Sequence, residues 1–118
     1  MENKSEYYKV NKVKFWHKWL YRTASRKRHN KKKIEVSINE DWILQKYQEQ
    51  SGRCFWTGVE LEITHIPNHP LKPSLDRIDP KGAYSRENTV ITALSINIGR
   101  NENSEKDWKE FIHNYLKL

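Results

Sequence analysis

The segment from residue 73 to residue 101 is the part of the chain that most constrains its fold. It reads PSLDRIDP, then KGAYSREN, then TVITALSINIGRN. Two short runs containing branched residues flank a polar loop that contains glycine, which is typical of two strands joined by a hairpin connection. After the second run, Leu94 and Ile98 recur at helical spacing. The sequence therefore predicts a β-hairpin followed at once by a helix, in an α+β fold.

Polar side chains in this segment suit a divalent cation. Asp76 lies on the first predicted strand and Asn97 on the predicted helix, where Arg100 follows within one turn. Oxygen ligands of this kind suit Mg²⁺ or Mn²⁺, which keep several waters and accept phosphate oxygens in the remaining positions. In a regular strand Arg77 and Asp79 face away from Asp76.

These residues resemble the HNH endonucleases, also called ββα-metal or His-Me finger endonucleases. The similarity is to small phage-type and homing-type members whose first strand reads Leu-Asp-Arg-Ile-Asp, and it covers roughly residues 50–112. The resemblance implies a ββα-metal finger, a hairpin plus helix packed with flanking helices. It also implies one Mg²⁺ or Mn²⁺ ion and hydrolysis of DNA phosphodiester bonds, by nicking or by cutting both strands. Asp76 and Asn97 take the positions of the metal ligands, and Asn88 takes that of the central Asn that pins the loop.

The general base is where the chain departs from this family. The family has a His directly after the first Asp, whereas this chain has Arg77, which does not deprotonate in proteins. Candidate bases are Asp79, or His65 or His69 from the preceding loop. Arg77 and Arg100 are expected to hold the scissile phosphate. The predicted catalytic set is Asp76, Arg77, Asp79, Asn88, Asn97 and Arg100.

Two classes of function follow from this pattern. The first is a divalent-metal-dependent DNA endonuclease with an atypical base. The alternative is a catalytically degenerate HNH-fold protein that binds nucleic acid, for which the Arg at the base position marks lost catalysis. A third and weaker interpretation is a protein that binds single-stranded RNA through its aromatic and basic N-terminal segment.

Positive charge is concentrated at the N-terminus. Residues 1–38 contain 12 Lys or Arg and 3 Asp or Glu, a net charge of 12 − 3 = +9, whereas residues 39–118 contain 10 and 12, a net charge of −2. We therefore divide the chain into a basic, aromatic-rich arm (1–38), helical over Val13–Tyr21, and an HNH-like domain (39–118). The arm indicates a polyanionic partner, expected to be double-stranded DNA. Its aromatic residues either pack on the domain or stack on bases. The expected phosphate contacts are Arg22, Arg26, Lys27, Arg28, Lys31, Lys32, Lys33 and Arg100.

The flanking segments predict further elements. A helix from Glu40 to about Gln50 is expected to be capped by Ser37 or Asn39, and residues 53–63 form a candidate hairpin that turns at Thr57-Gly58. Ser104 is predicted to cap a last helix, with His113 on its outer side. The core-facing stripe of that helix is predicted to be Trp108, Phe111, Ile112, Tyr115 and Leu116.

The remaining composition excludes other classes. The single cysteine, Cys54, excludes an internal disulfide, suits a reducing compartment and is expected to be a small buried hydrophobe. Zinc is disfavoured, because Cys54, His65 and His69 are one ligand short of a site of four. No apolar run approaches the roughly 18 residues of a membrane span. We therefore expect a cytoplasmic protein with no membrane partner. The resemblance to phage-type members implies a bacterial or phage-infected cell.

Overall fold

The structure is a computed structural model that describes residues 4–28 and 33–117, apart from the side chains of Lys4, Lys27 and Arg28. It has an α+β fold, as predicted. In chain order the elements are α1 (Lys4–Lys14), α2 (Trp16–Arg28), α3 (Glu40–Glu49), β1 (Pro73–Arg77), β2 (Thr89–Ala93), α4 (Leu94–Arg100), α5 (Glu105–Phe111) and a π-helical segment (Ile112–Leu116).

Strands β1 and β2 form the predicted antiparallel hairpin, and α4 begins directly after β2. Every residue of β2 is buried. The outer edge of β2 pairs with a side chain instead of a third strand: the Ile91 backbone N–H donates to Gln50 Oε1 (3.0 Å), and Gln50 Nε2 donates to the Ile91 carbonyl (2.8 Å). The Gln50 amide thus mimics a strand and leaves no unpaired edge at this position.

The N-terminal segment contributes to the same core as the hairpin. Ala24 of α2 and Val36 are buried in one cluster with Leu75 and Ile91. Val36 also forms a parallel bridge with Tyr84. The apolar face of α2 therefore packs against the rest of the protein.

The segment Val13–Tyr21, predicted to form one helix, is divided between two helices. Helix α1 ends at Lys14 and α2 begins at Trp16, with a turn at Phe15. Beyond the turn, Trp16 packs on Tyr47 of α3, with ring centroids 4.9 Å apart.

Helix α3 has the predicted boundaries. The Trp42 backbone N–H donates to Asn39 Oδ1 (2.8 Å), which confirms Asn39 as its cap. The helix ends where Ser51 and Gly52 adopt positive φ angles of 56° and 68°.

The hairpin predicted over residues 53–63 forms only as a short antiparallel pairing. The turn before Gly58 is present, since the Gly58 N–H donates to the Cys54 carbonyl (2.9 Å), but only one isolated bridge joins Arg53 and Glu60. The Cys54 N–H donates to the Val59 carbonyl (2.7 Å) and the Leu61 N–H to the Gly52 carbonyl (2.8 Å), in the register of that bridge. The pairing ends there, because the Glu62 N–H donates to the Leu71 carbonyl (2.8 Å). Cys54 is buried and its thiol is free, as expected.

The C-terminal helix is capped as predicted, but fewer of its apolar side chains are buried than expected. The Asp107 N–H donates to Ser104 Oγ (3.1 Å), and His113 is exposed. Trp108 and Ile112 are buried, but the predicted core positions Phe111, Tyr115 and Leu116 are 42%, 75% and 43% exposed. The α-helix ends at Phe111, and the wider π-helical turn after it changes the spacing of Tyr115 and Leu116. Phe111 itself lies within α5 and stacks on Trp108, with ring centroids 5.5 Å apart.

Within residues 4–28 and 33–117, no helix combines the length and the apolar character needed to span a membrane.

Candidate functional site

A cavity of about 500 Å³ lies where β1 meets the end of α4. Asp76 and Arg77 line it from β1, and Asn97 lines it from α4. The hairpin returns the chain so that positions about 20 residues apart in sequence face one space. The structure therefore brings the two predicted metal ligands, Asp76 and Asn97, to the wall of the same cavity. The remaining wall is formed by Ile34, Leu75, Pro80, Tyr84, Ile98, Asn101 and Glu102.

The carboxylate of Asp76 is held by a buried ion pair. Asp76 is 6% exposed, and its Oδ2 accepts hydrogen bonds from Arg100 Nη1 (2.8 Å) and Trp56 Nε1 (2.8 Å). The Arg100 guanidinium also lies 4.8 Å from the centre of the Trp56 ring. Because a buried ion pair is favourable only when its hydrogen bonds are satisfied, the three side chains hold one another in place.

Arg100 does not reach the cavity as a phosphate-binding group. Its side chain is fully buried (0% exposed), and its other donors go to backbone carbonyls. Nη1 donates to the Arg77 carbonyl (2.7 Å), Nη2 donates to the Ile78 carbonyl, and Nε donates to the Asn103 carbonyl (3.3 Å). The prediction that Arg100 contacts a nucleic-acid phosphate is therefore wrong in this structure. Arg100 instead positions Asp76 and joins the end of β1 to the end of α4.

Each predicted ligand keeps one oxygen for another partner. Both hydrogen bonds to Asp76 go to Oδ2, and among the described residues Oδ1 accepts none. Asn97 Nδ2 donates to Ser74 Oγ (2.7 Å) and to the Leu75 carbonyl (3.0 Å). A carbonyl can only accept, so the contact with Leu75 fixes the orientation of the amide and leaves Asn97 Oδ1 as an acceptor.

A carboxylate oxygen and an amide oxygen fit a hard cation such as Mg²⁺ or Mn²⁺. Over the described part of the chain, no group of three or more His, Cys, Asp or Glu residues is arranged to hold a metal ion. Two protein oxygens alone make a weak site, so water and phosphate oxygens would have to complete the coordination.

Asn88 pins the loop between the strands, as the resemblance implied. Its Oδ1 accepts from the Asp79 N–H (2.8 Å), and its Nδ2 donates to the carbonyls of Asp79 (3.1 Å) and Ala83 (2.9 Å). A Cβ atom added at Gly82 would lie 2.6 Å from Asn88 Nδ2, so the loop needs glycine there. The Asp79 carboxylate accepts from the Lys81 N–H (2.9 Å), within its own loop. Asp79 does not line the cavity.

Arg77 is the cation at the cavity wall. Its Nη1 donates to the Gly82 carbonyl (2.9 Å), and its guanidinium lies 5.1 Å from the centre of the Tyr84 ring. Arginine has five N–H donors, so this geometry leaves donors for an anion in the cavity.

The candidate histidine bases lie elsewhere. His69 Nε2 is 3.4 Å from Glu62 Oε2, and His69 Nδ1 accepts from the Leu71 N–H (3.2 Å). Neither His65 nor His69 lines the cavity that contains Asp76. None of the three candidate bases, Asp79, His65 and His69, therefore lines this cavity.

The predicted phosphate contacts of the arm are only partly described. The side chains of Arg22, Arg26 and Lys33 are exposed. Lys27 and Arg28 are described by their backbone alone, and Lys31 and Lys32 lie outside the described residues.

Sequence reasoning missed Trp56. It holds Asp76 although the two residues are 20 positions apart. No spacing rule joins a turn residue to a strand at that distance. An aromatic residue with an N–H group inside a short turn is the only signal that the sequence offers.

Comparison of this chain with protein-family models, curated proteins and solved structures finds no match.

Proposed function

We propose that this protein is a divalent-metal-dependent endonuclease of the HNH type that hydrolyses DNA phosphodiester bonds, with β1, β2 and α4 as its ββα-metal finger. The observation that carries the proposal is that Asp76 and Asn97 line one cavity, each with an oxygen that makes no hydrogen bond to another described residue.

In this proposal Asp76 Oδ1 and Asn97 Oδ1 hold one Mg²⁺ or Mn²⁺ ion, which when bound stabilises the charge that develops on the phosphate and its leaving oxygen. Arg77 holds a phosphate oxygen through its remaining N–H groups. Arg100 and Trp56 keep the Asp76 carboxylate in one orientation, which lowers the cost of ordering it when substrate binds.

The proposed enzyme is slow. No His of the described residues lines the cavity, and a missing positioned base typically lowers the rate by about 10²- to 10⁴-fold. Water activation would then depend on the metal ion, with Asp79, His65 and His69 as the candidate bases that a rearrangement on DNA binding could recruit.

A second candidate function is supported by the same site. The buried pair of Asp76 and Arg100 has no net charge, so the site attracts a cation less strongly than an unpaired carboxylate would. Together with Arg77 at the base position, this favours a catalytically degenerate HNH-fold protein that binds nucleic acid.

Relaxation of supercoiled plasmid in Mg²⁺ and in Mn²⁺ separates the two functions. We expect the wild-type protein and Glu110→Gln, which changes an exposed acid far from the site in sequence, to nick DNA. Asp76→Asn and Asn97→Ala should not nick, while all four proteins bind DNA alike in EDTA. Asparagine is preferred to alanine at position 76 because it still accepts hydrogen bonds from Arg100 and Trp56. If all four proteins bind DNA equally and none nicks it, the endonuclease is refuted and the nucleic-acid-binding function remains.

A further inference from the structure

A second groove, of about 510 Å³, lies between α1 and α2 and the segment that leads into β1. Among the described residues, four cationic side chains and no acidic one line it. The cations are Lys12, Arg22, Arg26 and Lys72. The nucleic-acid contacts expected from sequence include two of these, but neither Lys12 nor Lys72.

The positive charge of this groove is not balanced within the described residues. None of its four cations forms a salt bridge with a described Asp or Glu. Burial lowers the pKa of Lys72, and the nearby charge of Lys12 lowers it further. The Lys72 backbone is fixed, because the Leu94 N–H donates to its carbonyl (2.9 Å). The groove therefore holds repelling cations in place, which a bound anion would relieve.

Trp19 lies in this groove and has no place in the core. Trp16, three positions earlier, packs against the core cluster, whereas Trp19 does not. Lys12 Nζ lies 5.6 Å and Arg22 Cζ lies 4.9 Å from the centre of the Trp19 ring. Both cations lie over the ring of this half-buried indole. Proteins bind single strands by stacking bases on aromatic rings and placing phosphates on cations, so a base would replace a cation over the Trp19 ring and its phosphate would bind the displaced cation.

The groove adjoins the candidate nuclease site. Ser74 lines the groove and accepts a hydrogen bond from Asn97 Nδ2 (2.7 Å). Ser74 and Asp76 are on the same face of β1, about 6.7 Å apart along the strand. A ligand that extends from the groove along this face reaches Asp76.

We propose that this groove binds an unpaired strand of DNA, with phosphates on Lys12, Lys72, Arg22 and Arg26 and a base on Trp19. The proposal rests on the proposed function for its choice of nucleic acid as the polyanion. It assigns an unpaired strand because a base must leave the duplex to stack on Trp19.

Fluorescence anisotropy with a short labelled single strand, titrated in EDTA at several salt concentrations, tests the proposal. Lys12→Gln/Lys72→Gln should lower the slope of log K against log salt concentration by about 1.4, since each phosphate contact to a single strand contributes about 0.7. Trp19→Leu should weaken binding by about 5- to 160-fold. The matched controls, Lys106→Gln/Lys117→Gln and Tyr115→Leu, remove the same charges and an exposed ring elsewhere and should bind like the wild-type protein.

Several results would overturn the proposal. The first is that the groove variants bind the single strand as tightly as their controls do. Another is an equal loss of duplex and single-strand binding with no effect of Trp19→Leu. Competition by a mononucleotide as strong as that by the strand would assign the groove to free nucleotides, and equal competition by inorganic phosphate would leave only an anion site.

Failure of the nuclease and failure of the groove are distinguishable. Asp76→Asn should bind the single strand as the wild-type protein does, because it changes no groove residue. A wild-type protein that binds the strand but never nicks DNA would refute the nuclease and support the groove. If the wild-type protein nicks DNA and the groove variants bind the strand normally, the nuclease is supported and the groove is refuted.

Discussion

Replacing Arg100 with methionine should destabilise this protein more than any exposed substitution. Arg100→Met removes the cation that pairs with Asp76 and leaves a carboxylate that is 6% exposed, with Trp56 as its remaining hydrogen-bond donor. It also removes the donors to the carbonyls of Arg77 and Ile78. Removing one partner of a buried ion pair costs about 3–5 kcal/mol, a large share of the 5–15 kcal/mol that is typical for a domain.

Urea unfolding in EDTA, followed by tryptophan fluorescence, measures this cost. With a slope of about 2 kcal/mol per molar urea, a loss of about 4 kcal/mol lowers the midpoint by about 2 M. Arg86→Met, at an exposed position, is the control. The double variant Asp76→Asn/Arg100→Met should recover part of the loss, because it buries no unpaired charge. A midpoint for Arg100→Met that equals the control would refute the ion pair as a determinant of stability.

The same variant also reports on the metal site. Without Arg100, a bound divalent cation can neutralise the unpaired Asp76 carboxylate, so Mn²⁺ should raise the midpoint of Arg100→Met. At 100 times the dissociation constant the gain is about 2.7 kcal/mol. The double variant, which lacks the carboxylate, should show no such gain, and an equal gain in both would place the ion elsewhere.

Three further predictions concern single positions and are measured as urea midpoints. Gly82→Ala should cost about 1–3 kcal/mol, because its Cβ would lie 2.6 Å from Asn88 Nδ2; an unchanged midpoint would contradict this packing. Gly99→Ala should instead stabilise α4 by about 0.5–1 kcal/mol, since its Cβ meets nothing closer than 3.9 Å, and a loss would show that the backbone needs glycine there. Lys72→Met should be more stable than the wild-type protein at neutral pH, because the pKa of Lys72 is lowered by folding and the unfolded chain binds the proton more tightly. The advantage should shrink as the pH rises towards about 10.4, where the wild-type lysine loses its charge; a constant difference would contradict this cause.

Local signals predicted the elements of the fold well. Asn39 and Ser104 cap their helices as expected, because capping depends on residues three positions away. The hairpin followed by α4 was also predictable, since its strands, polar loop and helix are consecutive in sequence.

Long-range contacts could not be predicted. Helical spacing placed Arg100 beside Asn97 on a polar face, but its burial depends on carbonyl groups of β1 and on Trp56, which no periodicity relates to it. Gln50 fits the end of α3 by spacing alone, yet its amide completes the edge of β2, 41 positions later. The sequence therefore predicted the candidate ligands Asp76 and Asn97, whereas only the structure identifies the side chains that hold Asp76 in place.

The most direct test of the nuclease is anomalous scattering from crystals grown with Mn²⁺ and a DNA strand. The proposal predicts one manganese peak about 2.0–2.2 Å from both Asp76 Oδ1 and Asn97 Oδ1, with a phosphate oxygen in its coordination shell. A peak that contacts neither residue, or no peak in crystals that contain bound DNA, would contradict it.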